Sequence, residues 1–286
     1  MTKIADILSQ DGVAKSCEIF PPKGELKKVE AAEVVEGLSK LHPSFISVTC
    51  SAGGSGNAAS TPEVAAMVQD DFAIPSVAHT TCVTATPESL QETIATFKAL
   101  SIQNVLALRG DIPDGAAPQH FPYAKDLIPR LKEEGFCVGA AAYPEGHIDC
   151  YDPKANLEHL KMKQDAGADF FVTQLAFQND CILRFVEDAR TAGITAPITC
   201  GIMPFLSKPQ IERMVFMCGA SLPSPIIKLL ARYADDPVAL RQAGVEYACE
   251  QLVGLARNGV DGVHVYCMNR VDIAQAAFEA LHAEGF

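Results

Sequence analysis

Short runs of apolar and β-branched residues recur along the chain, separated by longer stretches in which apolar residues return every three or four positions. The first pattern reads as a buried strand, the second as a helix with one apolar face. Eight runs of the first kind occur: Ala14 to Phe20, Phe45 to Thr49, Ser76 to Cys82, Asn104 to Leu108, Cys137 to Ala142, Phe170 to Gln174, Ile198 to Ile202 and Gly262 to Tyr266. Pro87 to Leu100 and Ile182 to Ala192 are intervening helices, and Thr86 before Pro87 is a helix-start signal. Strands that alternate with helices predict parallel pairing. Eight such units predict an α/β fold, a (βα)8 TIM barrel closed on itself, in preference to an open doubly wound sheet.

The N-terminal MTKIADILSQDG predicts a short amphipathic helix ahead of the first strand, and Ser221 to Ala239 an extra helical insertion before the last. No linker or low-complexity tract interrupts the pattern, so residues 1–286 are expected to form a single catalytic barrel domain. SAGGSGNAAS, Ser51 to Ser60, follows the second strand and reads as a mobile loop over the site.

Composition narrows the functional classes. Hydrophobic residues make up 48% and charged residues 20%, enough to build one large core. A net charge of −12 disfavours nucleic acid and anionic membrane surfaces as partners, so an anionic ligand must be met by a local group of cations. There is neither a signal-peptide pattern nor an apolar run long enough to span a membrane, so a cytoplasmic location is expected. The ten cysteines form no CxxC pair and no tight Cys/His cluster, which argues against a metal site. In a reducing compartment they are expected to be small buried hydrophobes, and none is nominated as a nucleophile. No GxGxxG follows the first strand, and GxxxxGK[ST], HExxH and DxDxDG are absent. With no Trp, a flat-ring ligand must stack on Tyr, Phe, His or aliphatic side chains.

In a parallel barrel the site lies at the carboxyl ends of the strands. Glu18 lies near the end of strand one, Thr49 ends strand two, His79 falls late in strand three, and Arg109 and Asp111 follow strand four. Tyr143 and His147 follow strand five, Gln174 ends strand six and Arg270 follows strand eight. Among the apolar neighbours of CEIFPP an inward carboxylate would have its pKa pushed up toward that of a usable general acid, whereas an outward one is an exposed strand-end charge. Position leaves both open. Arg109 in ALRGD suits a phosphate or carboxylate, or a salt bridge to Asp111 or a neighbour. On a helix opening at about Pro153, Asn156, His159, Lys163 and Ala166 share one face, read either as an anion site helped by the helix N-terminus or as a solvated surface.

CEIFPP, FISVTCSAGG, AHTTC, ALRGD, AAYPEGH, LKMKQDAGADFFVTQ, GIMP and VYCMNR, in that order, closely resemble the methylenetetrahydrofolate reductase family over nearly the whole chain. It looks like the short bacterial type, limited to the catalytic barrel. The resemblance implies FAD at the carboxyl face, reduced by NADH or NADPH and reoxidised by 5,10-methylenetetrahydrofolate, which becomes 5-methyltetrahydrofolate. Glu18 matches the family's acid and Asp111 the carboxylate near flavin and pterin. Thr49, Ala52, His79, Arg109, Gly110, Tyr123, Ala124, Tyr143, His147 and Lys163 resemble FAD contacts, with Arg109 and Lys163 on the diphosphate. Gln174, Gln210 and Arg270 match folate contacts, and an oligomer is implied.

Some positions depart from the NADH-using pattern. Cys50 stands where tyrosine is common, Met162 replaces an arginine, Asn156 and His159 replace an aspartate and an asparagine at the cofactor, and Met214 replaces a stacking phenylalanine. Electrons delivered by a partner subunit are therefore an alternative to NAD(P)H. A flavin-free pterin-binding methyltransferase barrel and a non-catalytic folate-binding scaffold are the competing readings. A yellow flavin spectrum excludes the first, and retention of both Glu18 and Asp111 argues against the second.

Overall fold

The computed structural model describes residues 2–21, 27–50, 60–112 and 120–286. The expected loop Ser51 to Ser60 lies, apart from Ser60, outside the described residues, as does Ala52. Eight strands pair in parallel in chain order: β1 (Ala14–Ile19), β2 (Phe45–Val48), β3 (Ser76–Thr81), β4 (Asn104–Leu108), β5 (Cys137–Ala142), β6 (Phe170–Thr173), β7 (Ile198–Ile202) and β8 (Gly262–Tyr266). β8 returns to β1 with Ala14 opposite Gly262 and Glu18 opposite Tyr266, and this closes the barrel.

Four strands stop one residue short of the expected ends, at Phe20, Thr49, Cys82 and Gln174. Three of these residues still give one hydrogen bond to a neighbouring strand, Thr49 N to Ile19 O (2.9 Å), Cys82 N to Leu108 O (3.1 Å) and Gln174 N to Ala142 O (2.7 Å). After β3 one further bond follows, Val83 N to Arg109 O (2.8 Å).

Each strand leads into a helix: α2 (Lys27–Ser39), α3 (Thr61–Asp70), α4 (Pro87–Ala99), α5 (Ala124–Glu133), α6 (Pro153–Asp165), α7 (Asn179–Thr191) and, after β8, α11 (Val271–Ala283). Three helices separate β7 from β8: α8 (Lys208–Cys218), α9 (Ser224–Arg232) and α10 (Pro237–Arg257). The insertion expected over Ser221 to Ala239 is α9, with the first turn of α10. The helix starts follow local chemistry. Thr86 accepts from Ser89 N, Asp152 from Lys154 N, and Ser207 from Gln210 N, each ahead of a proline in the first turn. Among the described residues no helix is long and apolar enough to cross a membrane.

The main core fills the layer between strands and helices. Inside the barrel, α1 (Ile4–Leu8) plugs the amino-terminal mouth. Ile4 and Leu8 pack on Phe45, Val77, Leu106, Phe170 and Val172. Asn104 holds the plug by accepting from Ile4 N (3.0 Å) and giving its amide to Thr2 O (3.3 Å) and Ser76 O (3.2 Å). The amino-terminal end of the barrel is thus filled by apolar side chains packed around the hydrogen bonds of Asn104. A third cluster, with Leu175, Phe177, Met203 and Phe205, lies under α8 and α9. There α10 approaches the segment that follows β7 so closely that a Cβ on Gly244 would stand 1.8 Å from Phe205 O.

Candidate active site at the carboxyl ends of the strands

Period-two alternation puts Ser16 and Glu18 of β1 on one face, and His264 and Tyr266 of β8 on one face. These faces meet inside the barrel. Glu18 Oε2 lies 3.5 Å from Ser47 Oγ, 3.6 Å from His79 Nε2 and 3.8 Å from His264 Nε2, and its side chain is 21% exposed. His264 is fully buried, with Nδ1 2.7 Å from Ser16 Oγ and Nε2 3.2 Å from Ser47 Oγ. Ser47 Oγ gives its one hydrogen to Glu18 Oε2, so Nε2 of His264 is assigned as the donor to Ser47 Oγ, and Nδ1 accepts from Ser16 Oγ, whose hydrogen also lies within reach of Val263 O (3.1 Å). The inward reading of Glu18 is the one the structure bears out.

The expected pKa direction needs correction. Burial does push Glu18 up, but the His264 and His79 rings and the Ser47 hydroxyl outweigh it, and the carboxyl is held below its ordinary value. Burial pushes His79 down to about 4, so this ring is uncharged near neutral pH and the hold on Glu18 falls to His264 and Ser47. Ser47→Ala should therefore raise the pH at which Glu18 titrates, followed by its carboxyl infrared band; an unchanged midpoint would remove Ser47 from this role. Among the described residues His79 Nε2 is buried with no hydrogen-bond partner, a group whose desolvation costs about 1–3 kcal/mol until a ligand atom meets it.

The exit of β8 fixes the strand that carries Glu18. Cys267 Sγ donates to Glu18 O (3.1 Å), and Asn269 exchanges two bonds with Phe20, accepting from its N (2.9 Å) and donating to its O (2.8 Å). Met268 and Asn269 adopt positive φ (55° and 57°) to make this turn.

Beside this floor, a cavity of about 440 Å³ opens between β4, β5, α5 and α6. Arg109, Tyr123, Ala124, Tyr143, His147, Asn156, His159 and Lys163, all expected at the cofactor, line it. Asn156 Nδ2 donates to Tyr143 O (2.9 Å), and the Tyr143 and His147 rings meet edge to face at 4.8 Å. Lys163 Nζ donates to Ala141 O (2.7 Å) and stands 5.2 Å over the Tyr143 ring. Among the described residues it has no carboxylate partner, and burial pushes its pKa down to about 8. The α6 N-terminus is less open to an anion than expected, because Asp152 already caps it. The positive charge comes from Lys163 and Arg109. Arg109 pairs with Asp149 (3.0 Å), where the sequence suggested Asp111.

The other expected residues surround these two regions. Thr49 O accepts from Thr61 Oγ1 (2.8 Å), Gly110 turns the chain after β4 at φ 83°, and Asp111 is exposed beyond it. Gln174 Oε1 accepts from Leu175 N (2.9 Å), and Gln210 Oε1 accepts from Leu206 N (2.6 Å) while its amide faces Met268 Sδ (2.9 Å). Arg270 is half exposed and turned to Asp272, which also binds Arg241. Of the departures, Met162 lies at the mouth of the cavity, Met214 packs partly buried beside the third core cluster, and Cys50 is partly buried with its thiol pushed up to about 11 by burial. Only Cys17, Cys82, Cys137, Cys200 and Cys267 are the buried hydrophobes expected, the other five being partly exposed.

Residues 3–282 match the family described as methylenetetrahydrofolate reductase. The chain belongs to that family. It is 32% identical over 279 residues to 5,10-methylenetetrahydrofolate reductase of Escherichia coli K12, covering 97% of this chain and 93% of that one. It is 33% identical over 284 residues to methylenetetrahydrofolate reductase (NADH) 1 of Arabidopsis thaliana, of whose length it spans 48%. Among solved structures, an uncharacterized protein from Clostridium thermocellum that binds two copies of 5-methyl-5,6,7,8-tetrahydrofolic acid superposes with TM-score 0.68 at 15% identity, covering 98% and 97% of the two chains. A mutant tryptophan synthase α-subunit from Pyrococcus furiosus superposes with TM-score 0.57 at 14% identity, covering 96% and 99%. These two share the fold. Within the reductase family, Ser16, Ser47, His264 and Asn269 were not apparent as site residues from sequence. For Ser16 and His264 the legible sign was a polar residue two positions from Glu18 or Tyr266 on the same strand.

Proposed function

We propose that the chain reduces 5,10-methylenetetrahydrofolate to 5-methyltetrahydrofolate with FAD at the carboxyl face of the barrel, and that Glu18 is the acid. The observation that carries this reading is the placement of Glu18 inside the barrel beside Ser47, His79 and His264, in a partly enclosed floor where these groups set its affinity for a proton. Family membership supports the reaction class. The residues present fit the cofactor. Among the described residues Lys163 has no carboxylate partner and His79 Nε2 no hydrogen-bond partner, and Arg109 lies across the same cavity as Lys163. Lys163 and Arg109 would hold the diphosphate, with Thr49, His79, Gly110, Tyr123, Ala124, Tyr143, His147, Asn156 and His159 around the rest. When bound, the flavin supplies hydride.

Glu18 gives its proton to the folate so that the bridging ring opens to a cationic iminium. Asp111 favours that developing charge by its own negative charge. Gln174, Gln210 and Arg270 orient the folate. The test is anaerobic: purified protein is examined for a flavin spectrum, reduced, then mixed with methylenetetrahydrofolate. Reoxidation with formation of 5-methyltetrahydrofolate is expected, and reduced flavin that persists would overturn the reading.

A second reading concerns only the donor. Met162, exposed at the cavity mouth, together with Met214 and Cys50, leaves fewer stacking and charged groups for a nicotinamide nucleotide. A partner subunit would then deliver the electrons. Fast, saturable reduction by NADH or NADPH alone would exclude it.

A further inference from the structure

We propose that Asp149 is an internal counter-ion of the cavity between α5 and α6, occupying at Arg109 the place of a ligand phosphate oxygen and thereby setting how tightly a diphosphate is held. The proposal rests on the reading of that cavity as the FAD diphosphate site. Asp149 lies in the loop between β5 and α6 and lines the cavity. Its Oδ2 accepts from Arg109 Nη2 at 3.0 Å, the carboxylate being 63% exposed and the arginine side chain 23% exposed.

His147 does not secure this carboxylate. Asp149 N donates to His147 Nδ1 (3.1 Å), so that nitrogen is an acceptor, and its 3.6 Å approach to Oδ2 brings together two atoms that both lack a hydrogen. Arg109 is then the one group that holds Asp149 Oδ2.

Other ion pairs of the barrel are built differently. Asp169 binds Lys132 and also accepts from Val138 N (2.7 Å), and Asp261 binds Arg190 and also accepts from Ile198 N (2.7 Å). In both, a backbone bond fixes the carboxylate. Among the described residues Asp149 has no such second anchor, so its side chain can swing into solvent at small cost. Arg109, Lys125 and Lys163 line the cavity; Lys125 is paired with Asp126 (2.6 Å) and Arg109 is neutralised by Asp149, which leaves Lys163 as the cation without a carboxylate among the described residues. A diphosphate must displace Asp149 from Arg109 to bind, and the carboxylate returns when the ligand leaves.

The sign of one substitution tests this. If Asp149 competes with the ligand, Asp149→Asn and Asp149→Ala both bind FAD roughly threefold to fivefold more tightly and release it more slowly, the range set by a single exposed pair. If Asp149 instead orients Arg109 for the ligand, both variants bind more weakly. Flavin is stripped from the full chain, and binding and release are followed by flavin fluorescence, with circular dichroism as a check of folding. Unchanged or weaker binding in both variants overturns the proposal. Failure of the unsubstituted chain to bind FAD would instead count against the cofactor reading. Inorganic pyrophosphate, followed by calorimetry, then replaces FAD as the probe, and the same order of affinities is expected or the proposal falls.

Discussion

Glu18→Gln is expected to lower the rate at which methylenetetrahydrofolate reoxidises the reduced flavin by roughly a hundredfold to ten-thousandfold, the range of a lost general acid, while reduction by the donor stays nearly intact. The amide keeps the size of the carboxyl and its acceptor oxygen toward Ser47, so packing on the floor is conserved. What it lacks is the transferable proton. Donor reduction needs no proton from this position, which is why the two half-reactions separate. Stopped-flow absorbance of each half-reaction reads the difference. An equal fall in both would show that Glu18 supports the flavin and is not the acid. The folate half-reaction of the unsubstituted chain should also slow as pH rises. The reactive form is the protonated one, and the Ser47 and His264 contacts hold the carboxyl below its ordinary value.

That dependence could not be read from CEIFPP alone. Sequence neighbours predict burial, and burial does push the acid up, yet the groups that reverse the direction come from residues 47, 79 and 264 on three other strands. Once barrel closure sets Glu18 opposite Ser47 and Tyr266, the grouping follows from register. The barrel itself was legible because most strand positions are buried and the strands appear as short, mainly apolar runs. Polar residues inside such runs are the informative exceptions, and Ser16, Ser47, His79 and His264 are four of them.

Arg109 makes the same point. ALRGD places a carboxylate two residues away, and the guanidinium nonetheless reaches Asp149, forty positions on, because the β5–α6 loop folds back over the β4 exit. The Pro153 helix was legible through its cap and spacing, and Asn156, His159 and Lys163 do share the cavity wall. Its end was less legible as an anion site, since the cap that starts the helix is itself an anion. Asp152 occupies the N–H group that a phosphate would use, and the burden of charge moves to Lys163.

Lys163→Met is therefore expected to weaken FAD binding by roughly tenfold to a hundredfold, the scale of one charge-assisted hydrogen bond. The side chain it replaces is a cation with no carboxylate partner among the described residues, so no acid is left unpaired by the change. The unsubstituted chain carries a pH signature that Met removes. Burial lowers the free Lys163 to about 8, and a nearby diphosphate raises it again by favouring the ammonium. A group whose pKa rises on binding gives its full contribution below the free value and loses it above. FAD affinity should hold steady below about pH 8 and then fall by up to about tenfold per pH unit until the bound value is reached. Lys163→Arg keeps the cation at all these pH values, so it should flatten the profile while retaining affinity. Flavin fluorescence titrations from about pH 6.5 to 9.5 would separate the three proteins. A profile that falls equally in all three would place the titrating group elsewhere and remove Lys163 from the diphosphate.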